Sequence, residues 1–272
     1  MVSDSKQILE AASGFFHKLF GKDWRVDFSN WLPKQRLCEA EAGGLATDWS
    51  EDEVKAAFKS LARNKSPGAD GLPKELFEEH WDVLGSSFMA LVADFTATAE
   101  LPDEVKEAVT ILLYKKGDRS QLNNYRPITL LNFSYKIMAK LLADRINKVL
   151  HLVISPEQYG FIPGQRLADA VALVADIIDA AKNGIKDWYL LLVDFQKAFD
   201  SVLRSFLFNI LREMGFPPRF VAWVEGLHTH TTMKLLVNGW IGQGIDVVSG
   251  VRQGCPLAPY RFLYAVELLV SR

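Results

Sequence analysis

Apolar residues recur along the chain in two spacings, and the changes of spacing assign most of the elements. From Lys6 to Phe20, the residues Ile8, Leu9, Ala12, Phe15, Phe16 and Leu19 fall three and four apart, on one face of an amphipathic helix. Gly21 to Asp48 holds no period and reads as an irregular connector. Ser50 with Glu53 forms a capping box, and Val54, Ala57, Phe58 and Leu61 give the helix behind it a core face. KSPGADGLP, Lys65 to Pro73, is a Gly/Pro loop. The helical period returns over Lys74–Leu84, Ser86–Ala99, Phe133–Leu150, Leu167–Lys182, Ser201–Met214 and Pro218–Leu227, and Pro256 opens a last helix. Ala108–Tyr114 is short and β-rich. Tyr189–Val193 is a continuous apolar run and predicts a buried strand. Thr232–Val237 and Ile245–Ser249 predict a hairpin around the Asn238-Gly239 turn. Helices and strands mix without regular βα alternation, so the pattern predicts an α+β fold.

Composition narrows the setting. Of 272 residues, 49% are apolar and 24% charged, which suits one large globular domain or two small ones. No apolar stretch approaches the roughly 20 residues of a membrane span. The start, MVSDSKQILEAASGFF, has acidic residues and lacks a basic head followed by an apolar run, so no signal peptide is expected. Cys38 and Cys255 are too few for a disulfide framework or a zinc site, and an intracellular setting, nuclear or cytoplasmic, is expected. The net charge of −2 hides an uneven distribution. Ser50 to Glu107 holds 13 acidic and 6 basic residues, whereas Leu112 to Lys148 holds 8 basic and 2 acidic. That second stretch is either a solvated helix face with a loop or a phosphate-binding surface.

The chemistry concentrates in loops. In LLVDFQKAFDSV an apolar run ends at a carboxylate, Asp194, and Asp200 follows six residues later. Asp194 could cap the strand end, enter a salt bridge or hold a metal. Asp200 sits where it could N-cap the next helix, and Lys197 has a weaker claim to a role. YKKGDRSQLNNYRPITLLN puts two lysines and an arginine on turns beside strand-like segments; EQYGFIPGQR ends in Arg166, and GVRQGCPLAP is a Gly-rich turn before a buried-type helix.

Taken in this order and spacing with SPGADGLP, these motifs resemble the reverse transcriptases of non-LTR (LINE-like) retrotransposons from about Ser66 onward, and the FFHKLF helix resembles the linker that precedes that domain. The resemblance implies a right-hand polymerase fold, with an N-terminal helix and linker over 1–49, fingers over 50–186 and palm over 187–272. It implies two Mg²⁺ ions bridging the attacking and leaving oxygens of nucleotidyl transfer. Asp194 would be the first catalytic aspartate and the Phe195 carbonyl a further metal ligand. Phe199 would stack under the sugar and exclude a 2′-hydroxyl. Lys115 or Lys116, with Arg126, would grip the triphosphate, the lysine register being open by one. Gln253 and Gly254 would lie at the nucleotide–template pair. Arg166 and Arg252 would touch nucleic-acid backbone. The implied partners are an RNA template, a DNA primer and deoxynucleoside triphosphates.

The sequence also departs from that family. The second carboxylate pair, normally on a Tyr-x-Asp-Asp hairpin, does not occur: there is no Asp-Asp dipeptide, and 18 residues follow Gly254. GQR stands where GR is commoner, and APYRF where SPLLF is usual, placing Arg261 on an apolar helix where an unpaired charge is costly. The expectation is a truncated polymerase, fingers plus an incomplete palm without thumb, inactive alone. The alternative is a non-catalytic retroelement-derived fragment that binds nucleic acid or protein.

Overall fold

The computed structural model describes residues 4–21, 33–184, 188–195, 202–250 and 252–270. Its strands are β1 (Ala108–Tyr114), β2 (Tyr125–Leu131), β3 (Thr232–Val237) and β4 (Trp240–Asp246). They form one sheet in the order β2-β1-β3-β4. β1 pairs antiparallel with β2 and parallel with β3, and β3 pairs antiparallel with β4. The longer helices are α1 (Ser5–Phe20), α2 (Glu51–Ser60), α3 (Lys74–Glu79), α4 (Trp81–Thr98), α5 (Phe133–Val153), α6 (Leu167–Lys182), α7 (Arg204–Glu213), α8 (Pro218–Gly226) and α9 (Ala258–Val270). The mixture is α+β, as the periodicity predicts.

Among the described residues two cores hold most of these elements, while α6 has no buried residue. In the larger, α5 is the axis: 13 of its 21 residues are buried, so it is a central helix with little solvent face. Around it pack side chains from α2, α4, α7, α8 and α9, including Phe58, Phe95, Leu207, Trp223 and Tyr264. The smaller core lies where α1 sets Ala12, Phe16 and Phe20 against Met233, Leu235, Ile245 and Val247 of the hairpin. The N-H groups of Val248 and Ser249 donate to the Phe20 carbonyl, which ties the helix end to the chain after β4.

The start of α2 shows how local chemistry serves the larger core. Ser50 Oγ accepts from the Glu53 N–H at 3.2 Å, and Glu53 Oε2 accepts from the Ser50 N–H at 3.1 Å, so both arms of the capping box form. The same Glu53 carboxylate accepts from Arg145 Nη2 on α5 at 3.3 Å. Arg145 is 2% exposed and also donates to the carbonyls of Leu45 (2.9 Å), Thr47 and Asp48 (3.2 Å). Its guanidinium lies 4.6 Å from the Trp49 ring and 5.9 Å from the Trp223 ring. Arg145 thus closes the polar ends of the 45–48 segment inside an aromatic box.

Three expectations are corrected. Tyr189–Val193 is not a strand: it pairs with none of the four strands, and Tyr189, Leu191 and Leu192 are 93%, 83% and 83% exposed. An apolar run reports a demand for burial, while a strand exists only where backbone groups find a ladder partner, and none of the described residues supplies one here. The second hairpin strand begins at Trp240 rather than Ile245. Asn238 (φ 51°) and Gly239 (φ 83°) are both left-handed, so the two-residue turn starts the return strand at once. The boundary between the helices after the Gly/Pro loop falls at His80 instead of near Gly85. Lys197, Phe199 and Asp200 lie outside the described residues.

Candidate nucleotide and nucleic-acid site

The loop between β1 and β2 is built to hold basic groups at the surface. Its closure is local. Tyr114 Oη donates to the Gly117 carbonyl at 2.5 Å, Tyr125 Oη to the Arg119 carbonyl at 3.0 Å, and Asn124 Nδ2 to the Asp118 carbonyl at 2.8 Å. Hydrogen bonds from the Ser120 N–H and hydroxyl hold the Asp118 carboxyl below its ordinary range. Arg119 lies over the Tyr114 ring at 5.0 Å. Lys115, Lys116 and Arg126 are all exposed.

The ladder separates the two lysines. Arg126 stands opposite Leu113, and Ile128 opposite Ile111. The Lys115 N–H donates to the Asn124 carbonyl at 2.8 Å and so extends the pairing by one residue. Side chains alternate along a strand, so Lys115, Leu113 and Ile111 share a face with Arg126 and Ile128, while Lys116 begins the loop turn. The pairing puts Lys115, and not Lys116, on the strand face that carries Arg126.

That face leads into a cleft of about 440 Å³ whose lining includes Lys65, Pro67, Ile111, Ile128, Lys136 and Gly254. Three segments far apart in sequence meet there. The Gln253 carbonyl accepts from the Thr129 N–H at 2.9 Å, which docks the Gly-rich turn on β2. Gly254 has φ 114°, and a Cβ added to it would stand 2.7 Å from the Thr129 carbonyl oxygen, so only glycine fits this approach. On the other side, a Cβ on Gly68 would stand 2.1 Å from Asn132 Oδ1. Asn132, 1% exposed, accepts from the Asp70 N–H at 3.2 Å and donates to the Glu104 carbonyl at 2.8 Å. Burial pushes the Lys136 pKa down, and Asp70 opposes that shift. The sequence reading did not single out Asn132 or Lys136 as site residues; the glycines of SPGADGLP were the available signal, because repeated Gly marks close backbone approach.

The basic stretch divides in two. Its loop half is a free cationic surface. Its helix half is largely engaged with acidic groups or buried: Arg145 is buried, Lys140 pairs with Asp144 at 2.5 Å, and the exposed Lys148 lies 3.9 Å from Glu53. The remaining expected residues stand as follows. Arg166 is exposed and forks onto Asp169 with bonds of 3.2 and 2.9 Å. Arg252 departs from its expected role: it is 5% exposed, donates to the Lys106 carbonyl at 2.6 Å and covers the Tyr135 ring at 4.2 Å. A guanidinium held that way does not reach a nucleic-acid backbone, because its hydrogen bond and its ring contact both face inward. Asp194 is exposed, and the neighbouring Phe195 ring meets Phe262 of α9 edge-on at 6.2 Å, which sets this segment beside the helix that follows the Gly-rich turn. Among the described residues, no group of three or more His, Cys, Asp or Glu is placed to hold a metal ion. No helix among them is long and apolar enough to cross a membrane.

Comparison with known proteins gives the geometry its context. A family model described as reverse transcriptase (RNA-dependent DNA polymerase) matches residues 114–272. The chain is 33% identical over 269 residues to the transposon TX1 uncharacterized 149 kDa protein of Xenopus laevis, a match that covers 98% of this chain and 21% of that protein. It is 26% identical over 246 residues to the retrovirus-related Pol polyprotein from type-2 retrotransposable element R2DM of Drosophila melanogaster, covering 88% and 22%. With the RNA-directed DNA polymerase from mobile element jockey of the same fly, it shares 28% identity over 223 residues, covering 79% and 24%. The chain therefore spans about a fifth to a quarter of the length of these relatives.

Proposed function

The chain belongs to the reverse transcriptase family, as a domain homologous to the RNA-directed DNA polymerases of non-LTR retrotransposons, and from that premise we propose that the cleft between the β1–β2 loop and the Gln253–Gly254 turn receives a nucleoside triphosphate paired to an RNA template. The observation that carries this reading is the docking of Gln253 and Gly254 on Thr129, since it puts a side-chain-free backbone surface on the strand that bears Arg126. In this proposal Lys115 and Arg126 hold the triphosphate tail, Arg126 as a planar fork and Lys115 as a point charge. Gly254 lets a base approach the backbone. Phe199 excludes the ribose 2′-hydroxyl. Residues 50–186 act as fingers and residues 187–272 as palm, with the primer end brought toward Asp194.

Family members generally use Mg²⁺. In this chain Asp194 and the Phe195 carbonyl are the groups assigned to it, and they do not complete a site. The 272 residues contain no Asp-Asp pair, so we propose that this polypeptide binds template, primer and nucleotide and does not by itself extend the primer. A second reading has one observation behind it. The exposed apolar residues Tyr189–Val193 and Leu167, Val171 and Ile177 of α6 favour a fragment whose role is to bind another protein surface.

Binding of a labelled RNA–DNA primer–template, followed by anisotropy across a salt series, tests the first reading. Affinity is expected to fall with salt at about −0.7 in log–log slope per single-strand phosphate contacted. K115A is expected to make that slope shallower by more than K116A does, and K115A/R126A shallower still. Salt-independent binding, or equal effects of the two lysines, would sink the assignment.

A further inference from the structure

Behind the Gly-rich turn, three arginines are buried around Tyr135. Arg252 covers its ring at 4.2 Å, and Arg204 donates to the carbonyl next to the Leu227 carbonyl that takes the Tyr135 hydroxyl. Arg261 lies on the helix that follows Cys255, whose sulfur is 4.0 Å from that hydroxyl. Arg204 opens α7, Arg252 directly precedes Gln253, and Arg261 lies one turn into α9. They are 8%, 5% and 2% exposed. Their anchoring is partial. Arg204 Nη1 donates to the His228 carbonyl, and Arg252 Nη1 to the Lys106 carbonyl at 2.6 Å. Nε and Nη2 of Arg204, Nε and Nη2 of Arg252, and all three nitrogens of Arg261 are buried without a hydrogen-bond partner among the described residues. Burial, then the charges of Arg261 and Arg252, push the Arg204 pKa down to about 9, and burial pushes Arg261 down to about 10. Among the described residues, no carboxylate is one of the main groups acting on either.

Like charges with orphaned donors in one interior region are strongly unfavourable unless something negative joins them, and the guanidinium fork matches an oxygen pair of an oxyanion. We propose that Arg204, Arg252 and Arg261 form an internal oxyanion site that takes up a phosphate-class anion and stabilises the fold from beneath the Gln253–Gly254 turn. It is separate from the triphosphate cations Lys115 and Arg126, which are exposed on the β1–β2 loop. The arginines are brought together by three elements distant in sequence, so the folded chain binds the anion and the unfolded chain does not, and occupancy adds to stability by mass action.

The test is a thermal melt of the whole 272-residue chain titrated with inorganic phosphate at constant ionic strength set by sodium chloride. The wild type is expected to show a saturable rise in Tm, roughly 5–10 °C once phosphate exceeds its Kd about a hundredfold. R261L, which places an apolar side chain on an apolar helix face, is expected to melt higher than wild type without phosphate and to lose most of the response. Isothermal titration of the wild type supplies a readout that no variant's folding can obscure, with one phosphate bound per chain expected. A flat wild-type titration, as a site already neutralised by a carboxylate of the chain would give, overturns the proposal. So does an equal Tm response in wild type and R261L, which marks a general salt effect.

Discussion

Arg145 offers the sharpest test of how the fold is held, because its position in a basic run invites a different role. Consider R145M, which keeps the aliphatic stem and removes the guanidinium. The carbonyls of Leu45, Thr47 and Asp48 lose this donor, Glu53 Oε2 keeps only the Ser50 N–H, and the Trp49 ring loses a cation at 4.6 Å. Hydrogen bonds to a charged donor are worth about 1.5–3 kcal/mol each, but they share one side chain and do not add. The better guide is removal of one partner from a buried ionic network, about 3–5 kcal/mol. At roughly 2–4 °C per kcal/mol for a chain of this size class, the Tm should fall by about 10 °C. R145K keeps the charge yet loses the planar fork and its stacking, and about 2 kcal/mol is expected. Urea denaturation followed by circular dichroism measures both, alongside the primer–template salt slope. Loss of stability with an unchanged slope is the expected pair of results. A variant R145M within about 1 kcal/mol of wild type but with weakened, less salt-sensitive binding would refute the reasoning and return Arg145 to the phosphate surface.

Two further substitutions probe the local devices. G254A meets both a left-handed φ and the Thr129 carbonyl oxygen at 2.7 Å, and is expected to cost roughly 1–3 kcal/mol and to lower nucleotide affinity, read by denaturation and by nucleotide titration. S50A removes one arm of the capping box and is expected to cost about 1 kcal/mol, while S50D, which retains an acceptor, stays close to wild type in the same denaturation assay.

Much of the helical framework was legible because its signals are local. The period from Lys6 to Phe20 and the Ser50–Glu53 box need no tertiary partner to be read, and both elements form. β1 was legible for the same reason. Tyr189–Val193 was misread because hydrophobicity states that a segment wants burial but not which edge it will join. Arg252, and Arg145 within the basic run, read as surface charges until the carbonyls and rings that enclose them are known, and those come from residues 45–49, 106 and 135. The site was legible in its motifs and not in its geometry. Spacing does not distinguish Lys115 from Lys116, whereas the added backbone pairing to Asn124 puts Lys115 on the strand face of Arg126. Asn132 carried no motif of its own, although it joins the Gly68 loop to the start of α5.

The proposed division of labour, in which this chain forms the nucleotide cleft and lacks the carboxylates for chemistry, is tested most directly by primer extension. Purified polypeptide of these 272 residues would be mixed with an RNA template, a DNA primer, deoxynucleotides and Mg²⁺ or Mn²⁺, with binding of the same primer–template measured in parallel. The account predicts salt-dependent binding with no extension of the primer. Nucleotide incorporation that disappears in D194A would contradict it, and would mean that another carboxylate of the chain, or a second copy of it, completes the metal site.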